Sequence, residues 1–164
     1  MSEKSYLLDT NSLIYLLENT VDVTSQEKLR DVQEKLSDSD SEFFLTPLIR
    51  YEVLRGIAWE DREKLAKFQD ALAEFDMLDI SREVADLARE LYRFDKFSAA
   101  QRGQSKNLEK RKFDMFHYAT AKINDLKFDG YICGCGTQIH YNDNIILEKD
   151  INQINSDIEE HQKL

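Results

Sequence analysis

The sequence predicts an α/β fold in which helices flank a mainly parallel central sheet. Short apolar segments alternate with amphipathic segments along the chain, which is the pattern of a parallel sheet with crossover helices. One Pro and five Gly among 164 residues favour a helix-rich fold over an all-β sandwich. A chain of this length buries a good core, and we expect a single domain over residues 1–164.

The first part of the chain contains two short apolar strands, each followed by amphipathic helices. Thr46 and Pro47 predict one helix start clearly, because Thr is a good N-cap and Pro fits the first helical position. The predicted elements are, in order, a strand over residues 5–9, helices over 11–19 and 25–36, a strand over 42–46, and helices over 47–56 and 62–75.

The second part continues this alternation. Ser81 caps a helix that we expect to end near Phe94, and a polar loop begins at Ser98. The remaining predicted elements are strands over residues 77–80, 128–133 and 144–148, a helix over 113–123, and a short terminal helix from residue 151.

Charge and composition limit the possible functions. The formal net charge is −10, which is unusual for a nucleic-acid protein but fits carboxylates that hold a divalent cation, or a basic partner. A basic stretch over residues 101–112 interrupts the acidic background. No apolar run approaches the roughly 20 residues that span a bilayer, and no secretory pattern is present, so we expect a cytoplasmic protein without a membrane contact.

Asp9 is the first candidate site residue. It follows an apolar strand and precedes Thr10, Asn11 and an apolar helix. Open α/β sheets bind their ligands at the carboxyl ends of the strands, so one interpretation makes Asp9 part of a binding site at that edge. The alternative, of about equal weight on this segment alone, is that Asp9 or Thr10 only caps the helix.

Two further acids have matching contexts. Glu52 lies on a helix with an apolar face, although a Glu in such a position is most often a solvated surface residue. Asp114 opens a helix whose small residues permit close packing on a sheet, although an acid there also suits the helix dipole. His117, one turn later, is interpreted as a packed helix residue in preference to a proton carrier or a ligand.

These segments resemble the motifs of the PIN domain, and most closely those of a VapC-type toxin ribonuclease. The segments 8–11, 51–56 and 114–121 resemble the first three motifs in order and spacing. The fourth motif departs from the family, because Cys133 stands where Thr is usual and Cys135 where an acid or amide is usual. Asp143, after the following loop, is a possible replacement for the fourth acid.

The resemblance implies a three-layer PIN-like domain and a metal-dependent endoribonuclease. Asp9, Glu52 and Asp114 would be catalytic and would bind Mg²⁺ or Mn²⁺, since convergent carboxylates suit hard cations. Asn11 would donate or accept a hydrogen bond to these metal-binding side chains without contacting the metal itself. Phosphate contacts would come from basic residues such as Arg55, Arg102, Lys110 and Arg111, although any single one of these is more often only a solvated surface charge. The partners implied are an RNA substrate, a cognate antitoxin and a second copy of the chain.

Two other classes of function remain as alternatives. A PIN-like module that has lost catalysis and binds a protein is motivated by Cys135 and by the acidic surface. A phosphotransfer enzyme of the haloacid dehalogenase type is disfavoured, because that class has a second acid two residues after the first, where this chain has Asn11.

Overall fold

A computed structural model describes residues 4–18, 26–101, 103 and 112–129. Within these ranges the chain forms a parallel sheet flanked by helices, which confirms the predicted fold class. The elements are, in chain order, β1 (Ser5–Leu8), α1 (Thr10–Glu18), α2 (Gln26–Ser37), β2 (Glu42–Leu45), α3 (Pro47–Arg55), α4 (Arg62–Leu72), β3 (Asp76–Met77), α5 (Arg82–Gln101), α6 (Lys112–Ile123) and β4 (Lys127–Asp129).

The sheet has the strand order β3-β2-β1-β4, and every described pairing in it is parallel. β1 therefore lies between two neighbours, and Leu7 and Leu8 are completely buried, as expected for a strand covered on both faces. Parallel strands end at the same edge of a sheet. The residues that follow β1 and β2, Asp9 and Thr46, consequently lie at one edge.

The start of α3 is formed as the sequence predicts. Thr46 has an extended backbone, and its hydroxyl accepts a hydrogen bond from the N–H of Ile49 at 3.2 Å. Pro47 occupies the first helical position, where its missing N–H has no cost. This cap fixes where α3 leaves the sheet edge.

Two groups of buried apolar side chains hold the elements together. The larger group joins the sheet to α1, α2, α3 and α4 and includes Ala121 from the end of α6. The smaller group joins α5 to the rest of α6, through residues that include Ala88, Met115 and Ala119. Because α6 contributes to both groups, its position between the sheet and α5 is fixed.

The predicted end of α5 near Phe94, with a loop from Ser98, is wrong. The helix continues to Gln101, because Ala99 lies about three turns after Ala88 and is buried like it. Gly103 then has a φ of 63°, and its N–H donates to the carbonyl of Ala100 at 3.0 Å. A glycine in this conformation is a common helix terminator.

Two other boundaries differ from the prediction. α4 ends at Leu72 instead of residue 75, so that Phe75 and Leu78 pack against the larger core group. β3 is limited to Asp76–Met77, although the N–H of Leu78 still donates to the carbonyl of Leu45 at 2.8 Å.

Several predicted elements fall partly or wholly outside the described residues. β4 covers the beginning of the strand predicted over 128–133, and the rest of that strand lies outside them. The strand over 144–148 and the terminal helix also lie outside them. None of the helices in the described ranges combines the length and the apolar character needed to cross a membrane.

Candidate functional site

Asp9 sits where β1 ends and α1 begins, and its side chain is buried. Its Oδ1 accepts a hydrogen bond from the N–H of Ser12 at 2.7 Å, and its carbonyl accepts one from the N–H of Leu13 at 3.2 Å. Asp9 is therefore the N-cap of α1, which confirms the capping interpretation. A carboxylate also interacts favourably with the helix dipole at this end. The cap holds the carboxylate of Asp9 at the carboxyl edge of the sheet. Its role in binding a metal ion stays a prediction.

Glu52 on α3 contacts the same region through one of its two oxygens. Its Oε2 accepts a hydrogen bond from the hydroxyl of Thr10 at 2.9 Å and lies 2.5 Å from Nε2 of His117. An ionised carboxylate only accepts, so Nε2 of His117 carries the proton in this contact. Within the described ranges no residue donates to Oε1 of Glu52. Two donors therefore orient the carboxylate and leave one of its oxygens available.

The environment keeps Glu52 ionised. Burial raises its pKa, but the hydrogen bond and the electrostatic interaction with His117, the hydroxyl of Thr10 and the charge of Arg55 lower it by more. The net result is a pKa below the ordinary glutamate value. Glu52 is thus a carboxylate at neutral pH even though only 12% of its side chain is exposed.

His117 is placed by the packing of α6. Ala119, Thr120 and Ala121 are buried, so this helix packs closely against its neighbours, as their small size predicts. His117 is itself buried, with 4% of its side chain exposed, and it contacts Glu52 across 65 residues of sequence. The packed-helix interpretation was incomplete, because the histidine is both packed and paired with a candidate acid.

Asp114 lies in the first turn of α6, three residues before His117, and is half-buried. Residues three apart on a helix share a face. The hydrogen bond of His117 therefore joins Glu52 to the face of α6 that carries Asp114. The hydrogen bond of Thr10 joins Glu52 to the end of β1, next to Asp9. Through these contacts the structure links the three segments that resemble motifs.

The remaining predicted residues are placed differently. Asn11 is exposed and its side chain makes no hydrogen bond with another described residue, whereas its neighbour Thr10 bonds to Glu52. Its predicted role behind the ligands stays a prediction. Other predicted residues lie outside the described ranges, namely Arg102, Lys110, Arg111, Cys133, Cys135 and Asp143.

The sequence offered one signal for the missed Glu52–His117 contact. His117 shares a helix face with the candidate acid Asp114. If that face points towards the site, His117 is within reach of another candidate acid.

The donor chemistry of this site fits a hard divalent cation, since carboxylate oxygens are the ligands that Mg²⁺ and Mn²⁺ prefer. The orientation of Glu52 also fits a cation, because both of its hydrogen bonds are made by Oε2 and Oε1 remains to bind a metal. Within the described ranges, however, no group of three or more His, Cys, Asp or Glu side chains forms a ready metal site. Carboxylates repel one another, so we expect the three acids to converge only around the charge of a cation.

Comparison with known proteins identifies the family. The family model of the PIN domain matches residues 6–146. Similar solved structures include VapBC2 from Rickettsia felis bound to a DNA fragment from its promoter, with a TM-score of 0.51 and 15% identity over 76% of this chain and 84% of that one. A toxin-antitoxin complex from Klebsiella pneumoniae has a TM-score of 0.50 and 20% identity over 75% and 82%. Identities this low show a shared fold alone.

No curated protein matches the chain significantly. The family model nevertheless spans most of the sequence, including Asp9, Glu52 and Asp114. The chain therefore belongs to the PIN domain family.

Proposed function

We propose that this protein is a metal-dependent endoribonuclease and the toxin of a toxin–antitoxin pair. The observation that carries the proposal is the double hydrogen bond at Oε2 of Glu52, from Thr10 and from His117. It holds an ionised carboxylate at the carboxyl edge of a parallel sheet, against the strand end of Asp9 and the helix of Asp114. Membership of the PIN family, whose members are generally nucleases, supports the same activity.

The roles of the side chains follow from this arrangement. Asp9 and Asp114 would bind the cation directly, and Glu52 would bind it or position a water molecule. When bound, the cation would help to deprotonate the attacking water and would screen the charge of the phosphodiester. Thr10 and His117 would keep Glu52 oriented, as residues behind metal ligands commonly do.

The test uses three purified variants with the same chemical change: Asp9→Asn, Asp114→Asn and, as a control, Asp70→Asn on the exposed face of α4. Asn caps helices about as well as Asp, so the first variant should fold. With a pool of single-stranded RNA oligonucleotides in Mn²⁺, the first two variants should lose more than about 100-fold of the cleavage rate. The control should cleave like the parent. Full activity in either of the first two variants would refute the assignment.

The proposal extends to partners. The similar structure from Klebsiella pneumoniae is described as a toxin-antitoxin complex, which supports a cognate antitoxin for this chain. We expect the antitoxin to cover the acidic site with a basic side chain, because opposite charges attract at this sheet edge. We also expect a homodimer, which light scattering after size-exclusion chromatography measures directly.

A second function is a PIN-like module that binds a protein without catalysis. The net charge of −10 and the absence of a ready three-acid group within the described ranges favour it. Calorimetric titration separates the two proposals. Binding of Mn²⁺ in the micromolar to millimolar range supports the nuclease, and no binding at millimolar Mn²⁺ supports the module.

A further inference from the structure

Four side chains from α3 and the start of α6 form a surface group beside the candidate acids. We call Tyr51, Arg55, Lys112 and Phe113 the aromatic–basic cluster. The rings of Tyr51 and Phe113 meet edge to face with centroids 6.3 Å apart. The guanidinium carbon of Arg55 lies 5.6 Å from the Tyr51 centroid and 5.8 Å from that of Phe113, and Nζ of Lys112 lies 5.6 Å from the latter.

The cluster is accessible. Tyr51 is 54% exposed, Arg55 and Lys112 are exposed too, and Phe113 is half-buried. Arg55 forms no ion pair within 4 Å with a carboxylate of the described residues. Aromatic rings offer no strong acceptor, so the N–H donors of its guanidinium can bind an anion.

The position of the cluster relates it to the candidate site. Tyr51 directly precedes Glu52, Arg55 lies one turn after Glu52, and Phe113 directly precedes Asp114. A ligand that reached the acids from this side would cross two rings and two cations.

We propose that the aromatic–basic cluster binds the nucleotides of single-stranded RNA that adjoin the cleaved phosphate. Arg55 and Lys112 would contact backbone phosphates, and Tyr51 and Phe113 would stack on bases. This inference rests on the proposed nuclease function and names its substrate as single-stranded, because bases in a duplex do not present their faces to side chains. Rings interleaved with cations are the usual platform for single strands.

The overall charge strengthens the choice of RNA for this surface. A chain with a net charge of −10 repels a polyanion as a whole, so the phosphates need local cations where the strand meets the acids. The rings, exposed in Tyr51 and half-buried in Phe113, would add little to the binding of an isolated phosphate. They would add much to the binding of a base, because stacking is worth more than a surface charge pair.

The test is a fluorescence anisotropy titration with a labelled single-stranded RNA of about 12 nucleotides in EDTA, where no metal-dependent cleavage occurs. Tyr51→Leu keeps an apolar side chain against Phe113 but removes the stacking face, and Arg55→Ala removes one cation. Arg62→Ala is the matched control, because Arg62 makes the same kind of contact with the ring of Trp59 at 4.4 Å and changes the net charge equally. Thermal melts verify that all three fold.

We expect Tyr51→Leu and Arg55→Ala to weaken binding about tenfold each, and Arg62→Ala to weaken it less than about twofold. With an abasic oligonucleotide of the same length, Arg55→Ala should still weaken binding, whereas Tyr51→Leu should have no effect. Affinities equal to that of the parent in both cluster variants would overturn the inference and would assign this surface to a protein partner.

The two proposals fail in different experiments. Binding in EDTA is independent of cleavage, so a parent protein that binds RNA through the cluster but never cleaves it would refute the nuclease alone. A parent protein that cleaves RNA while both cluster variants bind normally would refute the cluster alone.

Discussion

The pairing of Glu52 with His117 makes a quantitative prediction about folding. The two side chains are 12% and 4% exposed, and their facing atoms lie 2.5 Å apart. Replacing either by Ala leaves the other in a largely buried position without its main partner. We therefore expect the two residues to be strongly coupled in the free energy of unfolding.

The structure sets the size of this coupling. Breaking a fully buried ion pair by removing one partner costs about 3–5 kcal/mol, and a hydrogen bond to a charged group contributes about 1.5–3 kcal/mol. Glu52 keeps the hydroxyl of Thr10 and some contact with solvent, so the lower range applies. The expected coupling free energy is about 2 kcal/mol.

A double-mutant cycle with His117→Ala and Glu52→Ala isolates this coupling, because the loss of the ring and the loss of the Thr10 contact cancel between its arms. Unfolding in urea should be followed by the helical circular dichroism signal. Trp59, the only Trp in the chain, is already 81% exposed and would report unfolding weakly. The Lys64–Glu18 pair, at 2.7 Å, is the control for a surface interaction.

The control pair should couple by less than about 1 kcal/mol, because both of its side chains are about one-third exposed and screened by solvent. A His117–Glu52 coupling no larger than that of the control pair would refute the reasoning. It would mean that, when the protein is in solution, His117 does not keep the carboxylate of Glu52 in place.

Three further outcomes follow from individual positions. Thr46→Val should lose about 1–2 kcal/mol of stability, since it leaves the buried N–H of Ile49 without its cap, whereas Thr46→Ser should lose much less in the same urea titration. Gly103→Ala should cost about 1 kcal/mol through its φ of 63° alone, because the space around it is open, and Gly56→Ala, at a φ of −78°, should be neutral or stabilising in thermal melts. Because the pKa of Glu52 is lower in the folded state, its ionisation stabilises the fold at pH values above the ordinary glutamate pKa of 4.5. This contribution disappears as the pH falls through the folded pKa, so melting temperatures measured from pH 5 to 3 should fall more for the parent than for Glu52→Gln.

The parts of the fold that local chemistry determines were predictable from the sequence. Thr46 and Pro47 carry their own start signal, and the apolar run before Asp9 identifies β1 because a strand buried on both faces leaves few polar residues. The end of α5 was not predictable from propensity. It depends on the burial of Ala99 and on the backbone conformation of Gly103, and both are set by the tertiary structure.

The candidate site was predictable as three separate acids but not as a connected group. Position at a strand end or on a helix face makes Asp9, Glu52 and Asp114 candidates, and the resemblance of the three segments around them to the family's motifs selects them. The contact between Glu52 and His117 joins residues 65 positions apart, so no local pattern contains it. The resulting interaction also lowers the pKa of Glu52, whereas burial alone would raise it.

The central claim is that the three acids hold one divalent cation, and a crystal structure grown in millimolar Mn²⁺ tests it most directly. We predict one anomalous peak with oxygen atoms of Asp9, Glu52 and Asp114 at about 2.0–2.3 Å, as for a hard cation. Glu52 should bind through Oε1 while its Oε2 remains with Thr10 and His117. A crystal in Mn²⁺ that shows no peak among these three carboxylates would contradict the account.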